Sequence, residues 1–182
     1  MNIAFHLEKH LGEIEQGWSS DSLPGIQVCL FRNQPDDGLL TLTTLGLSNH
    51  VLEMPGGRSV RQELTLVVPD EASLSASAKL LLHVAECVLK KHQAILRGEV
   101  LSLGARIDAN ASASALYVST PVVFSDEFST LYDTIPPTVI VWLFPVLPAE
   151  ERFIVSSGWS AFEDRLEAVN PDLFDVLRPS VV

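Results

Sequence analysis

Basic residues are scarce in this chain. Its 182 residues hold 12 Lys and Arg against 23 Asp and Glu, a formal net charge of -11. Such a surface repels phosphate backbones, so no nucleic-acid partner is expected, whereas a basic protein would be attracted. Cysteine is scarcer still. Cys29 and Cys87 lie far apart, each among apolar neighbours, and cannot form a framework of bridges. A reducing, cytoplasmic setting is the expectation. Long apolar runs are missing as well. The most apolar stretch, Val139 to Leu147, is interrupted by Pro145 and falls short of the ~20 residues a membrane helix needs. The first ten residues lack the basic-then-apolar layout of a signal peptide.

What is present suits a core. Apolar residues make up 47% of the chain and charged ones 19%, the opposite of a disordered composition. The length fits one domain, expected over 1–182, able to bury roughly 70% of its unfolded surface.

Periodicity supplies the elements. Ile3, Leu7, Leu11 and Ile14 form a helical stripe. Ile26 to Arg32 alternates like a strand, and Asn33 to Gly38 has turn chemistry before a Thr- and Leu-rich strand, Leu39 to Leu47. Pro55-Gly56-Gly57 makes another turn, and Arg61 to Val68 a third strand. Ala78, Leu81, Leu82, Ala85, Val88, Leu89, Ile95 and Leu96 then share one face of a long helix, with Lys79, His83, Glu86 and Lys90 opposite. Leu116 to Phe124 alternates again, and Val139 to Phe144, apolar on both faces, reads as a central strand. Pro148 opens a short helix with Glu150 and Glu151 near its positive end. Ser160 and Glu163 have capping-box spacing for a last helix with the stripe Trp159, Phe162, Leu166 and Val169. Strands joined by short turns predict an α+β fold: a mixed, mainly antiparallel sheet packed with a long central helix and C-terminal helices.

Motifs for chemistry are few. Neither phosphate-cradling glycine motif occurs, nor C-x-x-C, nor G-x-S-x-G. His6 and His10 are spaced to lie about 40° apart on a helix, but no third ligand stands nearby. They read as half-exposed histidines on a terminal helix. Cys87, four residues after His83, reads as a buried thiol acting as a small hydrophobe. His92 reads as a core histidine. Ser48 and His50 read as parts of a turn. No catalytic, metal or cofactor residue is therefore expected. The competing reading is a small hydrolytic or metal-dependent enzyme built on His6, His10, His83 or His92.

Several segments together resemble a known family. Thr44-Leu45-Gly46-Leu47-Ser48 resembles the T-x-G-x-S element of Suppressor-of-fused domains. Arg61-Gln62-Glu63-Leu64 resembles their R-x-E-L strand, and Leu80 to His83 fits their long helix. Val139 to Pro145 looks like the family's buried strand, Pro148 to Arg152 like its proline-then-glutamate helix start, and Arg178-Pro179-Ser180-Val181 like its closing R-P-S. Pro148-Ala149 departs from the usual Thr-containing stretch. The chain also stops at Val182, so the two-domain clamp of the animal proteins is not expected.

The resemblance implies a protein-binding scaffold without enzymatic activity. Stand-alone bacterial members look like immunity proteins, which neutralise a toxin by covering it. A basic toxin domain would suit the acidic surface. The motif residues to follow are Gly46, Ser48, Arg61, Glu63, Glu151, Arg178 and Ser180. At least one Arg–carboxylate pair among the four charges is expected to be partly buried and to fix the C-terminal tail on the sheet. One candidate surface is an exposed sheet edge, since added-strand pairing is the mode the two-domain relatives resemble.

Overall fold

The computed structural model describes residues 2–103 and 113–182. It is an α+β protein with a mixed, mostly antiparallel sheet arrangement and four helices among the described residues. The helices are α1 (Ile3–Leu11), α2 (Leu74–Lys91), α3 (Pro148–Ser157) and α4 (Trp159–Val169). The strands are β1 (Gln16–Ser19), β2 (Gln27–Arg32), β3 (Leu39–Leu45), β4 (Leu52–Met54), β5 (Arg58–Pro69), β6 (Val100–Ser102), β7 (Ala115–Ser119), β8 (Thr130–Leu131) and β9 (Thr138–Val146). Backbone contacts divide the chain into two compact units.

The first unit takes Met1–Ile95 and Thr120–Trp142. Its strands run in the order β1-β2-β3-β5-β9, with β4 on β5 and β8 on β9. The pairings from β1 through β3 to β5 are antiparallel. Strand β2 is buried on both faces. Cys29 and Phe31 join Leu7 and Leu11 of α1 in a cluster with Phe128 and Ile140. The intervening Val28 and Leu30 turn to the opposite face, where α2 packs on β2, β3 and β5. Two-sided burial explains why the strand is apolar at consecutive positions.

Helix α2 is shorter than its apolar stripe suggests. Lys90 and Lys91 complement its negative end, and His92 closes it in the left-handed region at φ 53°. Ala94 and Ile95 are buried by docking instead. The Ala94 amide donates to Glu53 at 2.9 Å, and Gln62 grips Ile95 twice, donating to its carbonyl at 2.8 Å and accepting from its amide at 3.1 Å. His92 is accordingly exposed, not a core residue.

The second unit takes Leu96–Ser119 and Leu143–Val182. Antiparallel β6 and β7, the end of β9, α3, α4 and the tail build it. Tyr117 lies between Phe144 and Phe162, ring centroids 5.2 and 5.3 Å away. Strand β7 ends at Ser119, short of the alternation expected to run on to Phe124, and Val122 is 71% exposed. The N-cap of α4 is Gly158, so Ser160 falls inside the helix and caps nothing. Its predicted partner Glu163 instead takes hydrogen bonds from Arg97 Nε at 3.0 Å and the Tyr117 hydroxyl at 2.9 Å. Of the α4 stripe only Phe162 is fully covered; Trp159 and Val169 stay largely open.

Candidate protein-interaction surface

Thr44 is the penultimate residue of β3 and Glu63 sits in β5, so the strand pairing carries one motif to the other. Glu63 is fully buried, and its carboxylate accepts from the Thr44 hydroxyl at 2.6 Å and from the amides of Gly46 and Ser48, each at 3.0 Å. Thr44 Oγ1 in turn accepts from the Leu64 amide at 2.8 Å. Arg61 donates to the Ser48 carbonyl at 2.7 Å. A tight loop that cannot satisfy its own amides is thus satisfied by one buried acid. Burial pushes the Glu63 carboxyl above its ordinary value, against the pull of the hydrogen bonds from Thr44, Ser48 and Gly46.

Only glycine fits at position 46. Its φ is +109°, and an added Cβ would lie 2.2 Å from the Gly25 carbonyl oxygen. This approach presses the Pro24–Gly25 turn against the braced loop. Leu45, Gly46 and Asn49 from that loop, with Gly25, Ile26 and Ser20, line a cleft of about 660 Å³. Ser19, the last residue of β1, also lines it. β1 heads the strand order and pairs with β2, from Gln16 opposite Leu30 to Ser19 opposite Gln27. Among the described residues no strand pairs with its other side, and its residues are largely exposed.

In the second unit a carboxylate again organises backbone, but it is Glu150, not Glu151. Arg178 donates to both oxygens of Glu150 at 2.6 and 2.8 Å, and both side chains are buried. Glu150 also accepts from the Leu147 amide at 2.9 Å, capping α3, and from the Val181 amide at 3.2 Å. Glu151 points elsewhere, accepting from the Ser102 hydroxyl at 2.6 Å, half-buried. Helical geometry decides between the two: neighbouring residues face about 100° apart, and only the third residue of a helix can reach back to its N-cap amide. Ser180 is half-buried, its hydroxyl accepting from the Val182 amide at 3.4 Å. None of Arg61, Glu63 and Glu151 takes part in holding the tail.

His6 and His10 stand together on α1, while His83 lies on α2. His6 is buried rather than half-exposed, its Nε2 donating to the Phe128 carbonyl at 3.0 Å. The His10 ring lies 4.9 Å away. Burial first, then the nearby His6 and Lys9, lower the His10 pKa, opposed by Glu127. His83 is exposed and sits 3.8 Å from Cys87 Sγ, which is partly buried rather than enclosed. Among the described residues no group of three or more His, Cys, Asp or Glu side chains could hold a metal ion. No helix there is long and apolar enough to cross a membrane.

A further cluster escaped the sequence reading. Arg97 lies over the Trp159 ring, 5.3 Å from its centroid, while pairing with Glu163. Gly98, at φ +93°, passes so close beneath Trp159 that a Cβ would fall 2.5 Å from the ring. The residues come from separate segments, and no local motif announces them.

Comparison with known proteins agrees with this architecture. The family described as Suppressor of fused protein (SUFU) matches residues 22–179. Immunity protein YqcF from Bacillus subtilis (strain 168) is 20% identical over 172 residues, covering 93% of this chain and 88% of that protein. A Suppressor of fused homologue from Neisseria gonorrhoeae FA 1090 has a TM-score of 0.81 at 18% identity, covering 98% of this chain and 93% of the other. A chain of the Sufu–Fu complex has a TM-score of 0.66 at 13% identity, with coverages of 91% of this chain and 82% of that one. With the motif pairs in contact and the match running nearly end to end, the chain belongs to the Suppressor of fused family.

Proposed function

We propose that this chain is a non-enzymatic, cytoplasmic protein-binding module of the immunity type, which neutralises a toxin domain by covering its surface. The observation that carries the reading is the likeness to immunity protein YqcF, spread over 93% of this chain and 88% of that protein. The presence of a Suppressor of fused structure in a complex with Fu supports protein binding as a use of this fold. The chemistry of the buried groups supports it too. Glu63, Glu150 and Arg178 are the deeply buried charges named above, and each is occupied in holding backbone. On this reading Gly46, Ser48, Arg61, Glu63, Arg178 and Ser180 shape the module rather than touch the partner, and Glu151 ties α3 to Ser102. No cofactor is required.

The net charge of -11 would speed capture of a basic toxin. The open edge of β1 offers backbone groups for an added strand, and the adjoining cleft offers space for side chains. Co-expression with candidate toxin domains taken from the neighbouring reading frames tests the reading. Restored growth and a stoichiometric complex on gel filtration are expected; a toxin left fully active and unbound overturns it.

A further inference from the structure

We infer that the tip of the hairpin between β8 and β9 is a partner-contact surface, fitted to a positively charged protein surface that bears an apolar pocket. The inference rests on the protein-binding reading above but names a place that reading does not use. Residues 132–137 link the two strands. Two large apolar side chains in this link are turned out to solvent: Tyr132 is 79% exposed and Ile135 92% exposed. Single exposed hydrophobes are ordinary. Here a pair three residues apart stands on a link that is otherwise tied down.

The ties are specific. Strand β8 pairs with β9 through Thr130 opposite Val139 and Leu131 opposite Thr138, and Leu131 and Thr138 are buried. Thr134 Oγ1 lies 2.9 Å from Thr138 Oγ1 and 3.4 Å from the Leu131 carbonyl, bridging the link internally. The Arg61 amide donates to the Pro137 carbonyl at 3.1 Å, fastening the end of the link to β5. Pro136 and Pro137 have fixed φ angles. A link held this way has little freedom left to lose on binding, and pre-organisation of this kind favours affinity. Tyr is among the residue types that anchor interfaces.

Charge selects the partner. From residue 107 to residue 151 the sequence contains no Lys, Arg or His. Exposed Asp126, Glu127 and Asp133 lie in the same stretch. Arg61 meets the base of the link through its amide and His10 faces Glu127, so the preference comes from the chain's net charge of -11, which suits a cationic surface and disfavours an acidic one, including a second copy of this chain.

The test uses the full chain and, as the probe, the toxin domain that it neutralises in the co-expression experiment above. Titration calorimetry on Tyr132→Ala/Ile135→Ala is expected to show affinity reduced by roughly 30-fold or more, the scale of an interface hot spot. The melting temperature should not change, because both side chains are exposed. Asp126→Lys/Glu127→Lys should slow association and flatten its salt dependence. Hydrogen exchange should show protection at 130–137 in the complex. Unchanged affinity in the apolar double variant, with protection confined to β1, overturns this inference and leaves the protein-binding reading standing. Failure of the wild-type chain to bind the toxin at all removes both. Dimerisation of the free chain abolished by Ile135→Asp would assign the tip to self-association and overturn the inference as well.

Discussion

Arg178 sets its two terminal nitrogens on the two oxygens of Glu150, 28 residues earlier, at 2.6 and 2.8 Å. The same carboxylate collects the amides of Leu147 and Val181, so four donors converge on one buried acid. Such saturation is what makes a buried ion pair tolerable.

Removing one partner leaves the other charged in a dry site. Arg178→Ala is expected to cost about 3–5 kcal/mol in a denaturant unfolding series. Glu151→Gln, which only makes one half-exposed hydrogen bond neutral, should cost about 1 kcal/mol or less. If Arg178→Ala unfolds at the wild-type midpoint, the clip contributes nothing to stability.

Glu63 predicts a pH dependence with a defined sign. Burial raises its folded pKa above the ordinary 4.5. The folded chain therefore holds this proton more tightly than the unfolded chain. Its stabilising contribution is fully present below pH 4.5 and is lost as pH rises through the folded value. The stability of the wild type relative to Glu63→Gln, which cannot titrate, should fall as pH rises across this window and then level off. A difference that grows with pH would contradict the assignment.

Two glycines with positive φ separate strain from crowding. At Gly12, φ +88°, an added Cβ meets nothing within 4 Å. Gly12→Ala should thus cost only the left-handed conformation, about 1–2 kcal/mol. Gly46→Ala adds a collision with Gly25 and should cost clearly more. Equal losses in parallel thermal melts would mean that the Pro24–Gly25 turn can simply step aside.

The two thiols should react in sequence. Burial, then the charges of Glu63 and Glu8, push the Cys29 thiol up to about 11, and the side chain is fully covered. Cys87 is partly exposed on α2. With a disulfide reagent at pH 8, labelling should stop at one thiol in the native protein, Cys87, and reach the second only in denaturant. Prompt native labelling of both would show that α1 opens readily over β2.

Elements with a clear period were legible in the sequence: α1, α2, β2, β3, β5 and β9. Strands β1 and β4 were not, because they are short and draw their pairing from neighbours rather than from their own alternation. The end of α2 was overrun because Ile95 and Leu96 continue its stripe by coincidence; Ile95 is apolar for the sake of β5. The T-x-G-x-S and R-x-E-L segments were legible as motifs, but their contact depends on strand register, which neither spells out alone. The tail clip was expected with the wrong acid, since only the capped geometry of α3 distinguishes Glu150 from Glu151. The Trp159 cluster joins residues up to 66 positions apart, beyond the reach of any local pattern.

The placement of Arg178 also bears on biosynthesis. A ribosome releases the chain from its N-terminus, and Glu150 emerges well before its counter-ion. Until Arg178 has cleared the exit tunnel, α3 carries an acid with no cation to receive it. The second unit can therefore complete its packing only once residue 178 is free to fold back onto Glu150, and deleting residues 178–182 would act as a core lesion rather than as the loss of a surface segment.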